Sequence, residues 1–115
     1  QRIVSYIKAE TSESKVELGV PTYGRDWSSA GVRTLVKDQA RALARKYSVT
    51  PKYDAVQHEY TFTYKAAGIT HTVWFSGARA VADRKQLASV AGLAGAAYWA
   101  AGQEEPGTWK AVRAR

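Results

Sequence analysis

The sequence contains no cysteine and no methionine, only two histidines and only three prolines in 115 residues. Without cysteine there is no disulfide framework and no thiolate metal site, and two isolated histidines, His58 and His71, are a poor basis for a zinc centre. Neither a metal nor another cofactor is expected. No apolar run is long enough to cross a bilayer, so a membrane partner is not expected. The first residues, Gln1-Arg2-Ile3, lack an initiator Met and a signal peptide's apolar core, which suggests an excised or processed segment. Acidic residues are also scarce: ten against seventeen basic ones give a net charge of +7. Such a charge attracts anionic polymers in general and names none of them.

What is present is globular in character. With 45% apolar and 23% charged residues the chain is not a disordered or fibrous sequence. Its length allows one core that buries roughly two thirds of the unfolded surface. Residues 2–9 have the pattern of a helix end, and a polar break at 11–14 precedes Lys15 to Val20, where Val16, Leu18 and Val20 alternate as in a strand. Pro21 and Gly24 then interrupt regular structure, and a dense polar and aromatic segment, Pro21-Thr22-Tyr23-Gly24-Arg25-Asp26-Trp27, follows the strand's C-terminal end. From Thr34, read as an N-cap, to Tyr47, the apolar positions Val36, Ala40, Leu43, Ala44 and Tyr47 keep one helical face. Lys37, Arg41 and Arg45 fall on its polar side as a solvated face.

Beyond Pro51, Tyr60, Phe62 and Tyr64 alternate with threonines, a turn at Ala66-Ala67-Gly68 follows, and Ile69 to Phe75 returns as the second arm of a hairpin. The aromatic face of that hairpin is expected to pack on its own core, and both histidines are expected to be structural or solvent-facing. A helix is expected from Ser76, with Ala80, Val81, Leu87, Ala88 and Ala91 on one side. LAGAAYWAA, Leu93 to Ala101, has the small, unbroken apolar character of a strand buried on both faces of a parallel sheet. A turn at Glu105-Pro106-Gly107 leads into a short helix around Trp109 to Val112. The pattern predicts an α/β unit whose two end strands lie parallel, with a β-rich α+β insertion between them.

Three segments, in order, resemble one family. KVELGVPTYGRDW resembles the seventh barrel strand of family 18 glycoside hydrolases, YTFTYKAAGITHTVWF resembles the α+β insertion that follows it, and LAGAAYWAAGQEEPGTW resembles the eighth strand. The resemblance is strongest to the bacterial chitinase-like and spore-cortex or cell-wall branch. It implies a piece of a TIM barrel divided as residues 1–27 (strand seven and the preceding helix end), 28–75 (insertion subdomain) and 76–115 (last helices and strand eight). In such barrels the site is built at the C-terminal ends of the strands. The resemblance then implies that Trp99 is a floor on which a pyranose stacks, that Tyr23 and Arg25 line the cleft, and that Trp27, with Trp74, extends the aromatic wall.

The family's catalytic glutamate ends a D-x-x-D-x-D-x-E run on the fourth strand, and no such run exists here. No catalytic residue is therefore assigned, and these residues alone are expected to be inactive. After VWF, where relatives place acidic residues, this chain has Ser76-Gly77-Ala78-Arg79, which removes negative charge from a helix start. The implied function is part of the sugar-binding cleft of a hydrolase of N-acetylglucosamine polymers, chitin or peptidoglycan, acting in a secreted or cell-envelope setting in a bacterium. The alternatives are a catalytically inactive chitinase-like lectin and, remotely, a basic nucleic-acid-binding α+β domain; nucleic acid is not the expected partner, because the hairpin aromatics alternate with threonines rather than with basic residues. Two strands cannot close a barrel, so self-association or the missing half of the barrel is expected to cover their free edges.

Overall fold

A computed structural model describes residues 2–114. Helix α1 (Arg2–Glu10) and a 3-10 turn (Glu13–Lys15) lead into β1 (Glu17–Pro21), which pairs in parallel with β7 (Gly95–Trp99) along its whole length, Glu17 facing Gly95 and Pro21 facing Trp99. Between them lies a five-stranded antiparallel sheet in the order β3-β2-β6-β5-β4. Its strands are β2 (Gly24–Ser28), β3 (Gly31–Leu35), β4 (Lys52–Asp54), β5 (Glu59–Ala66) and β6 (Ile69–Phe75). Helix α2 (Gln39–Lys46) covers one face of it, α3 (Ala78–Val90) leads back to β7, and α4 (Thr108–Arg113) packs on α3. The α/β unit with an inserted hairpin-bearing subdomain is therefore the observed architecture.

The hairpin forms because β5 and β6 carry alternating aromatic, β-branched and threonine residues and because Ala67 and Gly68, at φ 50° and 79°, make the tight turn between Ala66 and Ile69. A two-residue hairpin loop of type I′ has positive φ at both positions. Phe62, Tyr64, Val73 and Phe75 from this hairpin, Leu35 from β3, and Ala40 and Ala44 from α2 form the core of the inserted sheet. Burying each of the larger side chains contributes roughly 1.5–3 kcal/mol. The small alanines let α2 approach closely, while Leu43 and Tyr47 complete the contact. Tyr60, Phe62 and Tyr64 thus face α2 and are no platform for stacked bases.

The region from Gly24 to Tyr47 departs from the sequence reading. Arg25 to Trp27 belong to a strand rather than to an irregular loop, and Thr34 lies in β3 instead of capping a helix. The helix begins only at Gln39, whose Oε1 accepts from the Val36 N–H at 2.9 Å. The cause is pairing: β2 already has an edge on β6, and β3 satisfies the other edge of β2, an outcome that local periodicity does not see. Short β4 is added on the far side in the same way. The division after Trp27 passes through β2, all of which pairs in the five-stranded sheet. Arg41 also leaves the expected solvated face, because its guanidinium reaches the buried Glu105.

The expected two-faced burial of the β7 run is not met within this chain. Among the described residues its one neighbouring strand is β1, and Ala97 and Trp99 are exposed. Ile3, Tyr6 and Val90 are likewise exposed apolar side chains on α1 and α3. Parallel strands of this composition ordinarily have both faces covered, so further barrel elements would fit against them.

Candidate functional site

The C-terminal ends of β1 and β7 lie side by side and are locked together by Thr22. Its backbone N–H donates to the Trp99 carbonyl at 2.9 Å, and its hydroxyl lies 3.0 Å from that carbonyl and 2.9 Å from that of Ala100. Thr22 is buried, so its two donors and the two carbonyls meet out of contact with bulk solvent. The Trp99–Ala100 peptide is cis. Trp99 itself is 71% exposed. The indole is thus held at its backbone and bare on its ring within this chain.

Beside it stand Tyr23 and Arg25. The Tyr23 carbonyl accepts the Ser76 N–H at 3.1 Å, which joins the end of β1 to the start of the return toward α3. Arg25 donates through Nη1 to Thr34 Oγ1 at 3.1 Å and lies 5.1 Å from the Tyr23 ring centroid. Two contacts fix the guanidinium's position and leave donors over for a ligand. The register places Arg25 opposite Trp74 and Trp27 opposite Thr72, on the sheet face away from α2. Gly24 makes this possible: a Cβ there would lie 2.4 Å from Phe75 Cβ, so only glycine lets β2 approach β6 so closely.

These side chains line two neighbouring cavities. The smaller, about 200 Å³, is bounded by Tyr23, Arg25, Thr34, Trp99 and Gln103. The larger, about 500 Å³, begins at Pro21 and runs past Tyr23 and Arg25 to Trp27, Glu59, Thr72 and Trp74. Tyr23 and Arg25 line both cavities. All four residues singled out from the sequence, Trp99, Tyr23, Arg25 and Trp27, are thereby brought onto one surface, with Trp74 joining them.

Sequence reasoning missed Thr22, Glu59, Gln103 and Glu105. A lone threonine or glutamate carries no local signal, because its role comes from residues far away in the chain. Glu105 is the clearest case: it accepts Arg41 Nε at 2.7 Å and Nη2 at 3.2 Å, and the Ala78 N–H at 2.6 Å. A carboxylate is thus restored to the N-terminus of α3, where the local sequence lacks one and the helix dipole favours it. Arg41 also lies over the Tyr60 and Phe75 rings, and its bond to Glu105 raises its pKa.

The other titratable groups serve the scaffold. Asp26, whose side chain faces α2, accepts from Tyr64 Oη and pairs with His71 Nδ1 at 2.8 Å. Burial, reinforced by the bond to Asp26, pushes the Tyr64 hydroxyl up to about 12. His71 is accordingly structural. Tyr53 is raised by burial and by its 2.6 Å bond to Asp83. Glu104 is held below the ordinary glutamate range by backbone N–H donors and by the Trp109 indole, 2.8 Å away. Among the described residues no three His, Cys, Asp or Glu side chains gather in a metal-binding cluster, and no helix is long and apolar enough to cross a membrane.

No protein-family model matches the sequence. Individual proteins do. The cortical fragment-lytic enzyme of Bacillus anthracis is 30% identical over 117 aligned positions, covering 96% of this chain and 27% of that protein. The crystal structure of a chitinase from Chromobacterium violaceum superposes with a TM-score of 0.86 at 38% identity, over 96% of this chain and 35% of that one. The spore cortex-lytic enzyme SleL of Bacillus cereus superposes with a TM-score of 0.85 at 30% identity, over 96% of this chain and 28% of that one. The chain spans about a third or less of the length of each of these proteins.

Proposed function

We propose that this relative of the family 18 glycoside hydrolases supplies the C-terminal part of a barrel that cleaves bonds next to N-acetylated sugars in chitin or peptidoglycan. In this reading Trp99 is the floor under one pyranose, Tyr23 and Arg25 bind its polar groups, and Trp27 extends the wall. The observation that carries it is the 71% exposure of Trp99 at a pinned strand end, beside an oriented guanidinium and phenol. An exposed indole covers the apolar face of a sugar ring, and its N–H remains available as a donor. Arg25 and Tyr23 supply directional hydrogen bonds to hydroxyl or N-acetyl oxygens.

The acid that protonates the leaving oxygen is assigned to a part of the barrel outside these residues. Glu59, the carboxylate of the larger cavity, is ion-paired with Arg84 at 3.2 Å and serves as an acceptor. With the acid supplied elsewhere, the chemistry expected is substrate-assisted: the sugar's own N-acetyl carbonyl attacks the anomeric carbon while the acid protonates the departing oxygen. The names of the similar proteins, a chitinase and spore cortex-lytic enzymes, support action on a bacterial cell-wall or chitin substrate, at the envelope or outside the cell.

The test is titration of the full-length protein with chitooligosaccharides, followed by tryptophan fluorescence. If about 100 Å² of the indole is covered, Trp99→Ala costs roughly 2.5 kcal/mol, about a seventyfold loss of affinity. Undiminished binding by the variant would overturn the assignment.

A further inference from the structure

Trp99 stands on the β1–β7 pair, whereas Arg25 and Trp27 stand on the five-stranded sheet, so floor and wall belong to two separate sheets. The segment that follows Trp99 is tied to the inserted subdomain by backbone and by side chain. The Lys37 N–H donates to the Gln103 carbonyl at 2.7 Å, and Arg41 of α2 reaches Glu105 through Nε at 2.7 Å and Nη2 at 3.2 Å. Glu105 also takes the Ala78 N–H at 2.6 Å, two residues beyond Ser76, whose own N–H holds the Tyr23 carbonyl. One carboxylate thus joins α2, the start of α3 and the segment after β7. Thr108 fixes the backbone beneath it, its hydroxyl donating to the Glu105 carbonyl at 2.8 Å. The junction has no slack: Glu105 is buried, and a Cβ on Gly77 would lie 2.8 Å from its Oε1, 2.9 Å from Tyr60 Cε2 and 3.0 Å from Arg41 Nη2.

We propose that Glu105, held by Arg41, is a positioning residue for sugar binding: it sets the Trp99 floor against the Tyr23–Arg25 wall and touches no sugar itself. Neither Glu105 nor Arg41 borders the cavities beside Trp99 and Trp27. A rigid pyranose engages floor and wall together only if their spacing is fixed. A gap of about 0.5–1 Å forfeits a quarter to a half of a dispersion contact, so a small shift of Trp99 releases the ring. Charge-assisted bonds are short and strong, and the planar fork of Arg41 sets the carboxylate's orientation where an ammonium would act as a point charge. The walls are thereby ordered before the sugar arrives, and binding does not bear that ordering cost. The inference rests on the proposed function and adds to it a determinant outside the cleft.

The experiment measures the affinity of the full-length protein for a dye-labelled chitohexasaccharide, by fluorescence anisotropy read at once after mixing. The variants are Glu105→Gln, Arg41→Lys and Trp99→Ala, and Trp99→Ala combined with each of the other two. Each is studied well below its unfolding midpoint, so that all of the protein is folded. Glutamine keeps the shape but loses the charge, and Glu105→Gln weakens binding about tenfold; Arg41→Lys keeps the charge but not the fork and weakens it about fivefold. In the Trp99→Ala background each loss shrinks below about twofold, because the floor being positioned is gone. A merely structural role would lower the urea midpoint and leave the affinity of the folded protein unchanged. That result in Glu105→Gln and Arg41→Lys overturns the proposal, as does a loss of equal size with and without Trp99. Undiminished binding by Trp99→Ala alone overturns the functional reading instead. If Glu105→Gln fails to fold, Arg41→Lys carries the same comparison.

Discussion

Replacing Arg41 by alanine should destabilise the protein by about 3 kcal/mol, far beyond an ordinary surface ion pair. Glu105 is 8% exposed and takes both Arg41 nitrogens and the Ala78 N–H. Removing one partner of a fully buried pair costs roughly 3–5 kcal/mol, because the remaining charge is stranded. Arg41 is 34% exposed, so water partly replaces it and the electrostatic share falls to about 2 kcal/mol. Loss of the guanidinium from over Tyr60 and Phe75 adds about 1 kcal/mol. Arg41→Lys keeps the charge but not the fork and should cost about half as much. Urea unfolding of the full-length protein measures each change, and Arg41→Ala combined with Glu105→Gln should cost less than the sum of the two. A loss below about 1 kcal/mol for Arg41→Ala, or strict additivity, would refute the reasoning.

Gly24→Ala should cost about 2–3 kcal/mol, because the new Cβ meets Phe75 Cβ at 2.4 Å and the Trp74 carbonyl at 2.9 Å, neither of them the tip of a flexible side chain. An unchanged thermal midpoint would contradict the β2–β6 register. Tyr64 has its folded-state pKa raised from 10.0 to about 12, so folding favours the protonated phenol. Its contribution is complete below pH 10 and is lost as the pH rises through about 12. Tyr64→Phe should therefore lose stability less steeply than the parent over that alkaline range, as followed by circular dichroism; parallel curves would count against the Asp26–Tyr64 contact.

The parts of this fold legible in the sequence are those with a local cause. The β5–β6 hairpin follows from alternation plus Ala67-Gly68, and the small-residue run of β7 marks a parallel strand. The clustering of Tyr23, Arg25, Trp27 and Trp99 near the two strand ends was legible because aromatic and arginine side chains follow directly on those strands. Strands β3 and β4 were not, since Thr34 and Lys52 are paired only because β2 and β5 offer free edges there. The same holds for Glu105 and Glu59. Glu105 is 64 residues from Arg41 in the chain, and Glu59 is 17 from Ser76, so no periodicity carries either contact. Thr22 was hidden for another reason: its buried hydroxyl acts on two backbone carbonyls, and backbone partners leave no trace in side-chain spacing.

The central claim, that an N-acetylated sugar lies on the strand ends of β1 and β7, is tested most directly by the crystal structure of the full-length protein soaked with a chitooligosaccharide. The account predicts a pyranose ring parallel to the Trp99 indole, with Tyr23 and Arg25 within hydrogen-bonding distance of its polar groups. A sugar bound elsewhere, with the Trp99 ring covered by neighbouring protein instead, would contradict it.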